Sequence, residues 1–339
     1  MHATIVGIEY FLPESTLTSE DLCATFPEWD VKKIEAKTGI RTRHVAADSE
    51  CASDLAVAAA RKMFESRICD SKDVDFLLCC TQSPDYLLPT TACLLQDRLG
   101  IPVSAGALDF NLGCSGFVYG LGLAEGLIAS GQAKLIVLIT ADTYSKYIKR
   151  TDKACRTIFG DGAAATLISG RQGGTASMGP FIYGTDGRGG KNLIVPNSAT
   201  RRSYVAANPG VEVGATYCEQ PFLFMDGSQL FTFAVTTVPQ SVKELLEKAD
   251  MTVNDVDLFV FHQANAFILE ETRRILQIPK EKFQLTLADS ANTVSSTIPI
   301  ALKHAEIEGR LPNGANVLVA GFGVGYSWAA TIVRWVKTN

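Results

Sequence analysis

Apolar runs and helix-periodic stretches alternate along this chain, and the alternation occurs twice. Residues 3–10 read as a buried strand that ends at Leu12-Pro13. Thr18-Ser19-Glu20-Asp21 has the acidic first turn of a helix start, and residues 30–38 form a second short helix stopped by Gly39. Ser53–Ser66 carries Ala and Leu at helical spacing, with Ser53 as its N-cap. Asp75–Cys80 is a short apolar strand, and Thr90–Leu99 a helix stopped by Gly100. A strand-like Ala107-Leu-Asp-Phe-Asn-Leu112 then turns at Gly113-Cys114-Ser115-Gly116 into a helix pattern reaching Ile128 with almost no charge. Lys134–Thr140 reads as a fully buried strand, Phe159-Gly-Asp-Gly162 as a turn and Ala163–Ile168 as a strand. Between 171 and 222 Gly, Pro, Asn and Ser are frequent and periodicity fades, which predicts a connector with irregular cover. Beyond it come a helix at Gln229–Lys248, a buried strand at Asp257–Phe261 and a helix at Phe267–Leu276. Ala291–His304 passes from a turn into a helix, Asn316–Ala320 is a strand, Gly321–Gly325 a glycine loop and Trp328–Val336 a last strand.

The two series align at a separation of about 180 residues, where Asp75-Phe-Leu-Leu-Cys-Cys80 matches Asp257-Leu-Phe-Val-Phe-His262. That register sets Cys114 opposite Asn292. An internal duplication predicts two similar halves, residues 1–170 and 223–339, joined by the connector 171–222. Alternating strands and helices make each half an α/β unit whose mixed sheet is covered by helices. Equivalent loops from the two halves would converge, and chemistry is expected there.

Composition narrows the function classes. The chain has 339 residues, 47% hydrophobic and 20% charged, which suits a compact globular protein. A net charge of −5 argues against a nucleic-acid partner. No apolar run is long enough to span a membrane, and residues 1–12 lack the basic start and apolar core of a signal peptide, so a cytoplasmic protein is expected. Nine cysteines without C-x-x-C spacing suggest neither a zinc or other metal site nor a disulfide framework.

Three residues then stand out. Cys114 sits where a strand hands over to a helix, and the unpaired N–H groups and positive dipole end there favour a thiolate nucleophile. The alternative is a small buried hydrophobe, as most free cysteines are. Gly116, Gly120, Gly122 and Gly126 weaken the following helix by about 1 kcal/mol each, so close packing is expected around all four. His262 ends a buried strand and begins His262-Gln-Ala-Asn265, unlike terminal His2, Arg-flanked His44 and His304 on a polar helix face. It is either presented to a cleft or a satisfied core histidine. Asn292, in Ser290-Ala-Asn-Thr-Val-Ser-Ser296, is either a helix N-cap or an uncharged hydrogen-bond donor. Together Cys, His and Asn suggest acyl transfer through a thioester. The backbone N–H of Cys114 and one from Gly323-Val324-Gly325 would hold an oxyanion, and His262 and Asn292 a second one such as an enolate. Papain-like hydrolases use the same residue types, but their signature around the cysteine is absent.

With Thr38-Gly-Ile-Arg-Thr-Arg-His44, the cysteine turn, Phe159-Gly-Asp-Gly162, His262-Gln-Ala-Asn265, Asn292-Thr293 and Gly321–Trp328 in this order, the chain resembles the thiolase-superfamily condensing enzymes, most of all the β-ketoacyl-ACP synthase III family. The resemblance covers nearly the whole chain. It implies a thiolase-like, duplicated αβαβα five-layer fold, a homodimer and no cofactor. It implies that Cys114 accepts an acyl primer from acyl-CoA or acyl-ACP, and that His262 and Asn292 assist decarboxylation of a malonyl thioester on acyl carrier protein. The oxyanion amides would be those of Cys114 and Val324. The family places a tryptophan and an arginine around the adenine of coenzyme A. In register, this chain has Lys33 and Lys153 there, with Trp29 and Arg156 close by. At the carrier-docking positions stand Thr232, Phe267 and a retained Arg274, and Leu88 replaces the aromatic residue that bounds the acyl pocket across the dimer. Two other readings remain: an acyltransferase of this fold that makes an ester or amide without decarboxylation, and a non-catalytic dimer partner. The intact Cys114, His262 and Asn292 argue against the second.

Overall fold

Two sheets organise the molecule, here described from a computed structural model covering residues 1–173, 177–201 and 222–336. In chain order the strands are β1 (His2–Phe11), β2 (Thr16–Thr18), β3 (Thr42–His44), β4 (Phe76–Cys80), β5 (Gly106–Phe110), β6 (Leu135–Asp142), β7 (Gly162–Arg171), β8 (Met178–Thr185), β9 (Leu193–Ile194), β10 (Phe224–Met225), β11 (Leu258–Phe261), β12 (Asn316–Gly323) and β13 (Ser327–Arg334). The first sheet has the order β1-β7-β6-β4-β5 and the second β11-β12-β13-β8. β4 runs parallel to β5 and β6, and β7 antiparallel to β6 and β1. β11 runs parallel to β12, and β13 antiparallel to β12 and β8. The sheets are thus two copies of one plan, with β4, β6, β7 and β1 answering to β11, β12, β13 and β8. The second copy's fifth strand is reduced to a single bridge between Phe259 and Phe283.

The duplication reaches individual hydrogen bonds. Asp75 accepts from the backbone N–H groups of Lys134 and Leu135 and donates its own N–H to Leu135. Asp257 accepts from Asn316 N–H and donates its own to the Asn316 carbonyl. In each half an aspartate before the first parallel strand pins the start of the second.

Both faces of each sheet are covered. Helices Gly116–Ala129 and Thr297–Ile307 fill the space between the sheets, packing Phe117, Leu121, Ile298 and Leu302 against Ile136, Leu138, Val317 and Val319. Helices Ala52–Glu65 and Thr91–Arg98 cover the outside of the first sheet over Val137 and Ile139. Helices Gly227–Lys248 and Ala266–Ile275 cover the second over Leu318 and Ala320. This is the five-layer α/β arrangement expected from the sequence. Sheets buried on both faces need apolar residues at every strand position, which is why β6 and β12 read as unbroken apolar runs.

Two expectations are corrected. The stretch read as an irregular connector contains β8, which forms the edge of the second sheet against β13. Gly179, Pro180 and Gly184 interrupt its pattern, and an edge strand tolerates a proline that a central strand would not. The rest of that stretch at 174–176 and 202–221, with Cys218, lies outside the described residues. In the glycine-rich helix, a Cβ on Gly116 would come within 2.2 Å of the Cys80 sulfur and one on Gly120 within 2.6 Å of Leu138. Gly122 is similarly crowded by Tyr183, but Gly126 meets nothing within 4 Å, so the packing reason does not extend to it.

Candidate active site

Cys114 follows β5 by way of Asn111–Gly113, and Ser115 stands at the N-cap of helix Gly116–Ala129. His262 directly follows β11, its N–H bonded to the Ala320 carbonyl at 2.8 Å. Asn292 is held by the Phe159-Gly-Asp-Gly162 turn: its N–H donates to the Ile158 carbonyl and its carbonyl accepts from Gly160 N–H, both at 3.1 Å. The three side chains are buried and line one cavity of about 90 Å³, together with Phe159, Phe322 and Gly323. Residues far apart in sequence meet because they occupy corresponding loops of the two halves.

The polar contacts fix how each group faces the cavity. Asn292 Oδ1 accepts from Val294 N–H at 2.9 Å and its Nδ2 donates to the Ala264 carbonyl at 3.3 Å, so the amide cannot be flipped. Asn292 does not cap the helix, as one reading allowed, because helix Thr297–Ile307 begins five residues later behind Ser296. Its Nδ2 lies 3.5 Å from His262 Nε2. His262 Nδ1 lies 2.7 Å from Thr297 Oγ1, and the Phe322 ring meets the imidazole edge-on with centroids 5.6 Å apart. Burial pushes His262 down to about 3, so the imidazole is neutral.

Cys114 departs from the expected thiolate. Burial first, and the nearby Asp142 carboxylate second, push its thiol up to about 12. The backbone N–H groups of Val324 and of Cys114 itself bond to the sulfur and act in the opposite direction, but more weakly. Desolvation therefore outweighs the helix start, and the resting cysteine is a neutral thiol. The two amides that face the sulfur are the pair picked out from the sequence.

Sequence reasoning missed a supporting ring of polar groups. Asp142, at the end of β6, accepts from Gln82 N–H and from the Ser295 hydroxyl, tying the β4 loop to the turn that carries Asn292. Burial raises its carboxyl to about 7. A charged residue closing an apolar strand was the available signal. Thr297 and Phe322, which contact His262, gave none.

A second cavity of about 800 Å³ adjoins the first and shares Ile158, Met225, Gly227, Asn265 and Ile268 with it. Lys33, Lys37 and Lys153 line it, with Phe231 and Phe267 at ring centroids 5.1 Å apart. Trp29 is buried, stacked on Phe26 at 4.3 Å, and Lys153 Nζ lies 5.1 Å from its ring. Arg156 lines neither cavity and donates to the Arg150 carbonyl at 3.1 Å. Arg274 is exposed and paired with Glu271 at 2.9 Å. Leu88 is 82% exposed and lines neither cavity. Among the described residues no group of His, Cys, Asp and Glu is arranged to hold a metal ion, and no helix is long and apolar enough to cross a membrane.

Known proteins are similar to this chain in sequence and in fold. Residues 108–187 match the family described as 3-oxoacyl-[acyl-carrier-protein (ACP)] synthase III, and residues 246–335 match its C-terminal part. The chain is 35% identical over 338 residues to a beta-ketoacyl-[acyl-carrier-protein] synthase III of Caldanaerobacter subterraneus subsp. tengcongensis, covering 99% of this chain and 98% of that protein. A solved structure of a 3-oxoacyl-(acyl-carrier-protein) synthase III superposes with a TM-score of 0.93 at 45% identity, over 99% of this chain and 100% of the other. A 3-oxoacyl-(acyl-carrier protein) synthase from Burkholderia xenovorans superposes with a TM-score of 0.90 at 32% identity, over 100% of this chain and 95% of the other. In sequence along nearly its full length, and in fold, the chain belongs to the 3-oxoacyl-[acyl-carrier-protein] synthase III family.

Proposed function

We propose that this enzyme joins an acyl primer to a malonyl thioester, carried on acyl carrier protein, by decarboxylative Claisen condensation in fatty-acid or related biosynthesis. The observation that carries the reading is the convergence of Cys114, His262 and Asn292 on one small buried cavity, with two backbone amides on the sulfur. In the first half, Cys114 attacks the primer thioester, His262 takes the thiol proton and passes it to the departing thiolate, and the acyl group stays on sulfur. In the second half, the malonyl carbon–carbon bond breaks, carbon dioxide leaves, and the electron pair becomes a thioester enolate held by His262 and Asn292. The enolate carbon attacks the acyl-cysteine carbonyl, the N–H groups of Cys114 and Val324 hold the tetrahedral oxyanion, and its collapse frees a 3-oxoacyl thioester and the Cys114 thiolate, which takes up one proton from solvent to restore the resting thiol.

The larger cavity supplies the route for the carrier arm. Lys33, Lys37 and Lys153 suit the phosphates of an acyl-CoA or carrier-bound primer, and Phe267 and Arg274 mark the face for the carrier protein. Arg156 would bear on the donor only by leaving its bond to Arg150. Residues 1–170 would serve as the nucleophile half and 223–339 as the His and Asn half, with 171–222 covering the site through Leu193. Among the described residues β5 is a sheet edge with no strand beyond it, and Leu87, Leu88 and Leu108 are exposed, which supports a homodimer across this face with Leu88 of one copy bounding the primer pocket of the other. The reading needs no cofactor and fits a cytoplasmic enzyme.

The test is stepwise. The protein is acylated with acyl-CoA or acyl-ACP, and intact mass locates the acyl group on Cys114 and its loss in Cys114→Ala. Malonyl-ACP is then added, and carbon dioxide and a 3-oxoacyl-ACP are measured. An ester or amide product formed without carbon dioxide, or an acyl group that persists in Cys114→Ala, overturns the reading.

A further inference from the structure

A third cavity, of about 290 Å³, shares Leu193 with the one that holds Cys114 and no residue with the lysine-lined one. Val324, whose N–H bonds to the Cys114 sulfur, lines it. A Cβ on Gly113 would lie 2.5 Å from Gln82 Oε1 and 2.7 Å from Val324 Cγ1, so both side chains reach the residue before the cysteine. The cavity beside the sulfur holds only about 90 Å³. With the carrier arm in the lysine-lined cavity, the third is the space left for the rest of an acyl chain on Cys114.

Leu193 and Val324 give this cavity an apolar side, and a row of polar groups lines another. The Tyr144 hydroxyl donates to Gln82 Oε1, and Gln82 Nε2 donates to Asn111 Oδ1 at 3.1 Å. A primary amide carries two N–H donors. Among the described residues, the second hydrogen of Gln82 Nε2 and both on Asn111 Nδ2 have no protein acceptor. Gln82 is fixed from behind, where its backbone N–H donates to Asp142 at 2.8 Å and its carbonyl accepts from the Tyr147 hydroxyl at 3.4 Å. A hydrocarbon chain entering here strips water from the spare N–H groups and returns no bond. An oxygen acceptor on the chain replaces that water. A carboxylate does not suit, because among the described residues no Lys, Arg or His lines the cavity and Asp142 stands behind Gln82.

We propose that the amides of Gln82 and Asn111 select the primer, preferring a short, uncharged acyl chain that carries a carbonyl or hydroxyl oxygen to a plain hydrocarbon chain. This rests on the condensation reading above and names its substrate class. The enzyme is offered equimolar hexanoyl and 5-oxohexanoyl groups on acyl carrier protein, and intact mass reads the ratio of the two on Cys114. Pentanoyl against 4-oxopentanoyl sets the oxygen one carbon nearer the sulfur. In at least one pair the oxo chain is taken faster by roughly three- to tenfold, the worth of one neutral hydrogen bond. Glutaryl gains no such preference. Replacing the whole row by side chains of like shape, Tyr144→Phe, Gln82→Met and Asn111→Leu together, leaves no orphaned partner. That variant brings the ratio close to one and keeps hexanoyl acylation within about twofold of wild type, by the same exchange of bonded partners for apolar ones. A purely structural role would slow both chains alike. Wild-type ratios near one in both pairs overturn the inference and need no variant. So does an oxo preference that survives the triple substitution, or glutaryl outpacing 5-oxohexanoyl. If no chain acylates Cys114, the condensation reading falls instead, and the side-chain amide ¹⁵N signals still decide. On the inference 5-oxohexanamide shifts those of Gln82 and Asn111 and hexanamide does not, and signals unmoved by both overturn it.

Discussion

Gly323→Ala tests how finely the thiol is placed. A Cβ on Gly323 would lie 2.8 Å from Cys114 Sγ and 2.9 Å from Cys114 Cβ, closer than real Cβ atoms approach anything. Restoring ordinary contact at about 3.5–4.0 Å requires a shift of roughly 0.7–1.2 Å. The strand resists supplying it, because Gly323 is held in the ladder with β13 by its pairing to Ser327. The cysteine must move. A misplacement of about 1 Å costs on the order of a hundredfold in rate, so Cys114 acylation is expected to fall by that much. Stability is expected to change less. Overpacking costs about 1–3 kcal/mol, offset by about 0.4–1 kcal/mol from the less flexible unfolded chain. Gly126→Ala is the matched control: nothing lies within 4 Å of its added Cβ, so it should stabilise the helix by about 1 kcal/mol and leave acylation alone. Intact-mass time courses measure acylation and thermal melts the fold. A folded Gly323→Ala that acylates as fast as Gly126→Ala refutes the reasoning.

Three further outcomes are expected. His262→Ala and Asn292→Ala should each lose condensation by roughly a hundredfold or more while sparing acylation better, and equal failure of both steps in both variants would point to a Cys-His-Asn triad that activates the thiol. His262 titrates near 6.5 when unfolded and is pushed to about 3 in the fold, so below 6.5 the unfolded chain binds a proton that the native chain does not. The stability this group contributes is complete above 6.5 and is lost as pH falls toward 3. At pH 4.5 the loss is about 3 kcal/mol, and denaturant melts at pH 7 and 4.5 should show it in wild type but not in His262→Gln. Free acyl-CoA should acylate Cys114 slowly and more slowly with added salt, because Lys33, Lys37 and Lys153 supply charge without a flat face for adenine, forgoing about 1–3 kcal/mol of stacking. Fast, salt-insensitive acylation by micromolar acetyl-CoA would sink that reasoning.

What was legible in the sequence follows from burial. β4, β6, β11 and β12 are covered on both faces, so their apolar runs declared them, and the Asp75 and Asp257 matches exposed the duplication. β8 has one free edge and carries Gly179, Pro180 and Gly184, so no period marks it, and only pairing with β13 makes it a strand. Cys114, His262 and Asn292 were legible because each follows a strand or turn with a recognisable pattern. Trp29 was legible as a residue but not as an environment. In register with Gly39 the chain has Lys33, with Trp29 only close by, and the fold packs that ring on Phe26 with Lys153 over it.

The charge state of Cys114, the proposed nucleophile, was the least legible feature, and it bears most on how the site would work. Local sequence places Cys114 at a helix start and argues for a thiolate. The fold adds Asp142 from the end of another strand and closes Phe159, Phe322 and Gly323 around the sulfur, and desolvation prevails. A thiolate or an imidazolium alone would be costly to bury, whereas a neutral thiol, a neutral imidazole and a carboxamide are not. The resting site therefore holds no separated charge among these three. In the proposed reaction, charge arises only when a thioester carbonyl lies against the Cys114 and Val324 amides that face the sulfur. A nucleophile formed only with its acceptor in place is protected from idle reaction, and that protection follows from burial rather than from the helix.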